Sequence, residues 1–269
     1  MKPTILLHVL IPFIAFPFCA SFLRADPVPA RQTEGLLHGF LIMRGLDNTI
    51  LASGEVSQVR HGDRVSSDLV FHFKDGSIHE ETTVFTQRRT IQLATYHLVQ
   101  RGKAFKRSTD LTADVATGKV TVASVDDKGK EESFSDRLKL PTDLANGMIF
   151  VLLDNIDPKT PKTTVSMLVA TPEPRIVKLE ITPEGADSFS IAGLPHESQR
   201  FVLKIRIPGV SGVIAPVVGK QPPNTHIWMI EGKAPGVLKS EGPLYEGGPV
   251  WRVDLANPVW QEQELIHKK

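Results

Sequence analysis

The chain has 269 residues, with 31 Lys and Arg against 30 Asp and Glu, and one cysteine, Cys19. A net charge of +1 gives no electrostatic reason to seek nucleic acid or an anionic membrane face. The hydrophobic fraction of 41%, in a chain this long, is enough for a globular core.

The first twenty-five residues read as an export signal. Lys2 supplies a positive start, Ile5 to Phe18 run almost unbroken through apolar residues, and small residues follow at Cys19, Ala20, Ser21 and Ala25. Basic, then apolar, then small is the order of a secretory signal peptide. The apolar stretch is shorter than the roughly 20 residues that span a bilayer, so a cleaved signal is expected, not an anchor. Cleavage before Phe22 satisfies small-x-small, and cleavage before Asp26 leaves a polar start. Phe16-Pro17-Phe18 ahead of Cys19 argue against lipidation. The protein is therefore expected in the periplasm or outside the cell, without a transmembrane segment. Loss of residues 1–25 removes Lys2, Arg24 and the cysteine, leaving 29 basic against 30 acidic residues and no disulfide. The remainder divides into an arm (26–35), one β-rich domain (36–260) and a polar tail (261–269).

From residue 36 to 138 side chains alternate with period two. Leu69, Phe71 and Phe73 point one way, Asp68 and His72 the other; Val120 and Val122 oppose Thr121. Turn residues separate the runs at Asp47-Asn48, His61-Gly62-Asp63, Asp75-Gly76, Gln87-Arg88-Arg89, Thr117-Gly118 and Lys128-Gly129. Short strands divided this regularly predict an antiparallel meander, with one dry and one wet face. Asp75-Gly76 suits a two-residue turn with positive φ at both positions. That register sets Phe73 opposite Ile78 and His72 opposite His79, with Glu81 on the same face. Two imidazoles and a carboxylate can hold zinc; the plainer reading is a solvated histidine pair.

At Pro141 the period changes. Thr142 can cap a helix whose face carries Leu144, Met148, Val151 and Leu152. Asp154-Asn155 and Pro158 end it. Gly147 weakens it, and a buried strand is the alternative. Strands resume with Val165, Met167 and Val169, then Val177, Leu179 and Ile181, then Phe201, Leu203, Ile205 and Ile207. Ile227 to Ile230 is nearly all apolar, and Trp251, Val253 and Leu255 close the alternation. The predicted fold is mainly β: an antiparallel meander curled into a partial or open barrel with one packed helix. A two-sheet sandwich is the alternative.

A meander, one mid-chain helix, and returning strands that end in His226-Ile227-Trp228-Met229 and Gly248-Pro249-Val250-Trp251-Arg252-Val253 resemble a group of exported bacterial β-rich proteins of unknown function. The layout over residues 36–256 is similar to the periplasmic lipoprotein carriers, whose open half-barrel holds acyl chains under a helical lid. The resemblance implies an apolar cavity and a lipid-like ligand.

The stretch from Ile207 to Gly219 is apolar, rich in Gly and Pro, and flanked by Arg206 and Lys220. An apolar loop is costly to leave wet, so it covers or lines something. As a lid it would turn Val213, Ile214, Val217 and Val218 toward an apolar ligand, with Trp228 as a stacking candidate; as a buried crossover it would only pack. Trp251 and Trp260 are stacking candidates of the same kind, for a sugar or a lipid, with core or edge packing the plainer reading of all three tryptophans. His97 and His226 lie in apolar runs and read as structural.

Nucleophile motifs fail. Gly209-Val210-Ser211-Gly212 lacks the spacing of a nucleophile elbow, Gly212 to Gly219-Lys220-Gln221 is no phosphate loop, and Glu80-Glu81 face opposite sides of a strand. No cofactor is expected. Three functions follow: a carrier of an apolar molecule or lipid, a cell-envelope scaffold that holds another protein by its sheet edges or by 207–219, and a hydrolase assembled from distant strands.

Overall fold

The computed structural model describes residues 27–191, 194–206, 222–230 and 236–256. Eight strands come first: β1 (Leu37–Arg44), β2 (Ile50–His61), β3 (Arg64–Phe73), β4 (Ile78–Gln87), β5 (Ile91–Arg101), β6 (Arg107–Asp114), β7 (Lys119–Asp126) and β8 (Glu131–Arg137). A helix, α1 (Ile149–Asn155), follows. Then come β9 (Thr163–Val169), β10 (Arg175–Ile191), β11 (Leu194–Arg206), β12 (Thr225–Ile230), β13 (Gly236–Pro243) and β14 (Val250–Leu255).

All fourteen strands form one antiparallel sheet, ordered β8 to β1 and then β14 to β9. It is two meanders welded where β1 pairs β14, with Leu41 opposite Leu255 and Met43 opposite Val253. The free edges, β8 and β9, are neighbours in sequence and unpaired in space. The expected open, curled sheet is present, and the two-sheet sandwich is not. The roll is evident in the main core, where Val65 of β3, Leu111 of β6 and Val122 of β7 belong to one cluster with Leu179 of β10, Phe201 of β11 and Met229 of β12. A second cluster gathers Met43, Phe71, Phe73, Phe105 and Trp251.

Each turn named from the sequence in the first meander lies between two strands. The β3–β4 register differs from the expected one. Gly76 N bonds to Phe73 O, and Phe73 N to Ser77 O. Gly76 has positive φ (84°) and Asp75 does not, so the loop is a type I turn closed by a left-handed glycine, not a two-residue turn. His72 therefore faces Ile78, and His79 faces Phe71. A one-residue shift moves a side chain to the other face, so the two histidines are not a pair.

The helix is also shorter than expected. It starts after Met148, which makes no side-chain cap, and Thr142 caps nothing. The reason is that the preceding backbone is used elsewhere. Ser166 N bonds to Asp143 O and Ala145 N to Ser166 O, while Asn146 brackets Leu168 through both its amide atoms. Gly147 adopts φ 67°, outside the helical region. Residues 143–146 thus cover the free edge of β9, and α1 then lays Val151, Leu152, Leu153 and Ile156 into the core.

Candidate functional site

Strand alternation places the β1–β2, β3–β4, β5–β6 and β13–β14 turns at one end of the roll, here the upper. The N-terminal arm, the turns between β2–β3, β4–β5 and β6–β7, and the segment holding α1 occupy the lower end.

The upper end is closed by aromatic packing. Phe105 in the β5–β6 turn meets Phe73 (5.4 Å) and Tyr245 (5.5 Å), and Trp251 meets Phe73 (5.4 Å). Tyr245 donates its hydroxyl to Ala104 O, and Lys106 donates to Gly247 O. Beneath this cap lies a polar row. Gln100 donates to His79 Nδ1 (3.1 Å) and faces Leu244 O (3.4 Å). With Nδ1 accepting, His79 Nε2–H donates to Glu81 (3.0 Å). Glu81 and Asn146 both lie within bonding reach of the Tyr96 hydroxyl. Burial, and then the Glu81 charge, raise that hydroxyl well above its usual range. His79 is fully buried, with Phe71 and Phe105 on its flanks. Phe71 fits because its neighbour on β2 is Gly54, where a Cβ would lie 2.4 Å from the ring. Both nitrogens of His79 are spent on neighbours, so the row orders the interior and offers no free base.

A second cluster sits on the β9 edge. Ser166 Oγ donates to Asp143 (2.9 and 3.0 Å), and Lys178 Nζ donates to Ser166 Oγ (2.8 Å) and Asp143 (3.3 Å). Serine–lysine pairs serve as nucleophile and base in some hydrolases. Here the ammonium donates to both partners, so it has no lone pair free for the serine proton, and Ser166 is fully buried. The cluster is a tether that fixes residues 143–146 to the edge.

The lower end is held by backbone-directed amides. Asn155 Oδ1 accepts from Arg31 N and Gln32 N, each at 2.7 Å. Gln87 receives Glu34 N and donates to Glu34 O. The arm also bonds along the β4–β5 turn, Ala30 N to Arg89 O and Ile91 N to Val28 O, and buries Val28. Beside these bonds lie two carboxyls. Burial pushes Asp154 up to about 7, with Glu34 adding to the shift. Glu34 is itself raised by burial, against a lowering bond from Gln58. Asp154 Oδ1 is buried and makes no hydrogen bond.

Of the residues singled out from the sequence, Val213, Ile214, Val217 and Val218 lie outside the described residues, as does Trp260. Trp228 lies between Ile227 and Met229, which are buried, and so points to the outer face. Its indole N–H donates to Asp187 (2.7 Å) and Lys239 covers its ring at 3.7 Å. Trp251 packs in the upper cap. His72 is exposed, and His97, read as structural, is exposed and paired with Asp110 (2.9 Å). Among the described residues, no group of three or more His, Cys, Asp or Glu is placed to hold a metal ion. No helix among them is long and apolar enough to cross a membrane. A groove of about 530 Å³ lies among Arg101, Asp110, Val125 and Ser133 and is open to solvent. Gln100, Asp143, Asn155 and Ser166 were missed, since each works through partners distant in sequence and carries no local motif.

No family model matches the chain, and no curated protein matches it in sequence. Among solved structures, it is similar to the crystal structure of a β-barrel-like protein of domain of unknown function DUF1849 from Brucella abortus. The two are 10% identical with a TM-score of 0.44, over 86% of this chain and 97% of the other.

Proposed function

We propose that this is an exported, non-enzymatic protein that binds an apolar or lipid-like molecule on the buried face of its open sheet. The observation that carries the reading is the seam between β8 and β9. No strand ladder closes it. A single segment, residues 138–162, crosses it and fills the interior with one seven-residue helix. Helices this short have little stability of their own, so α1 is held by the packing of its apolar side chains into the core, a packing that an acyl chain can replace. The apolar stretch 207–219, which joins β11 to β12, would serve as a cover. Export rests on residues 1–25.

The edges favour this reading over a scaffold built by strand addition. β8 carries Glu131, Glu132, Asp136 and Arg137, and charges on an edge discourage pairing. The β9 edge is already taken by residues 143–146. Native mass spectrometry of the chain purified from an export-competent host is the test. An extra mass that disappears on denaturation, in the range of a lipid, is expected. A clean apo mass, with no uptake of a fluorescent fatty-acid probe, would overturn the carrier.

A further inference from the structure

We propose that the N-terminal arm is a pH-released strap: ionisation of Asp154 beside Glu34 drives the arm off α1 and opens the lower end of the roll. The inference does not depend on which ligand the sheet takes. The arm's backbone bonds to Asn155, to Gln87 and to the β4–β5 turn, its side chains add Glu34 with Gln58 and Arg31 with Asp157, and Val28 is its buried apolar anchor. Such a strap can lift without unmaking any strand of the sheet.

The groups around Asp154 give the switch its sign. Glu34, on the arm, is the facing carboxyl. Arg31, the nearest cation of the arm, is engaged by Asp157 at 3.2 Å. Gln58 and Gln87, from β2 and β4, are neutral. On β13, Lys239 lies on the outer face over Trp228 and pairs with Glu241, and at the lower end Arg88 pairs with Asp63. No cation among these is left to neutralise Asp154. It also sits in the last turn of α1, where the helix dipole disfavours an anion, and its Oδ1 has no donor. Two ionised carboxyls there repel and are partly desolvated by burial. Lifting the arm separates and hydrates them.

Linkage fixes the profile. With Asp154 near 7 when the arm is down and near an ordinary carboxylate when it is up, the opening constant should rise about tenfold per pH unit between roughly 4 and 7 and then level off. Hydrogen exchange of the Arg31 and Gln32 amides in the full chain, corrected for intrinsic rates, reads this directly. The expected result is a fall in their protection over that window while Leu98 on β5 stays protected. Asp154→Asn should flatten the profile. Glu34→Gln should move the plateau to lower pH, and it keeps the test open if Asp154→Asn folds poorly. A flat wild-type profile, an unchanged profile in both variants, or arm and Leu98 losing protection together would each overturn the strap.

Discussion

At the upper end of the roll Phe73, Phe105, Tyr245 and Trp251 close over a row in which Gln100, His79 and Glu81 satisfy one another. At the lower end the arm is tied down by backbone bonds, over a carboxyl with an unpartnered oxygen. Both ends belong to the same sheet, yet the upper one spends its polar groups on order and the lower one leaves charge uncompensated. A buried polar group costs little when paired and much when orphaned. The contrast therefore marks the upper end as the fixed part of the molecule and the lower end as the part that conditions can move.

The largest effect should come from breaking the upper end. Phe71 is almost wholly buried, over Gly54 and against His79. Phe71→Ala should cost about 3–5 kcal/mol, as large-to-small changes in cores do, read as a lower urea midpoint with an unchanged slope. If the cost is under about 1 kcal/mol, the upper end is not the rigid part and the contrast fails.

Next is the pH dependence of global stability. A carboxyl whose folded value lies above its unfolded one favours the folded state while protonated. Stability is then full below the unfolded value and declines as pH rises toward the folded one. For Asp154 the window runs from the ordinary 3.8 to about 7. Urea unfolding at pH 4.5 and 7.5 should differ by on the order of 2 kcal/mol from this group, discounted because water reaches part of the site. The acidic side should be the more stable one in this respect, and Asp154→Asn should shrink the gap. An equal gap in the variant would place the pH sensitivity elsewhere.

Asn155→Ala sharpens the comparison at smaller scale. It strips the acceptor from Arg31 N and Gln32 N. About 1–2 kcal/mol should be lost, with faster exchange confined to the arm. Loss spread evenly over the sheet would show that the arm is part of the common core.

How much of this was legible in the sequence divides along the range of each interaction. The turns at Asp47-Asn48, Thr117-Gly118 and Lys128-Gly129, and the alternation of Val177, Leu179 and Ile181, are local signals, and the strands they mark are present. Asp75-Gly76 is local too, but it fits two hairpin loops that differ by one residue. Only the positive φ of Gly76 without one at Asp75 decides, and that decision separates His72 from His79. Thr142 had the chemistry of a cap and lost it because Asp143, Ala145 and Asn146 are bound by β9, a partner 20 residues or more downstream for each contact. Asp154-Asn155 read as a helix stop, which they are. That the same pair holds the arm depends on contacts more than a hundred residues away.

The smallest prediction concerns Trp228, which the sequence offered as a ligand platform. Its ring lies on the outer face under Lys239, and its N–H is held by Asp187. Trp228→Phe keeps an aromatic surface for the ammonium and removes one hydrogen bond. It should cost about 0.5–1 kcal/mol, while any mass retained in native spectra stays unchanged. A variant that folds normally but loses a bound lipid would mean that the ligand lies on the outer face of β12 and not under α1. The carrier would then have to be rebuilt around the strand row of Arg200, Trp228 and Lys239, which neither end of the roll encloses.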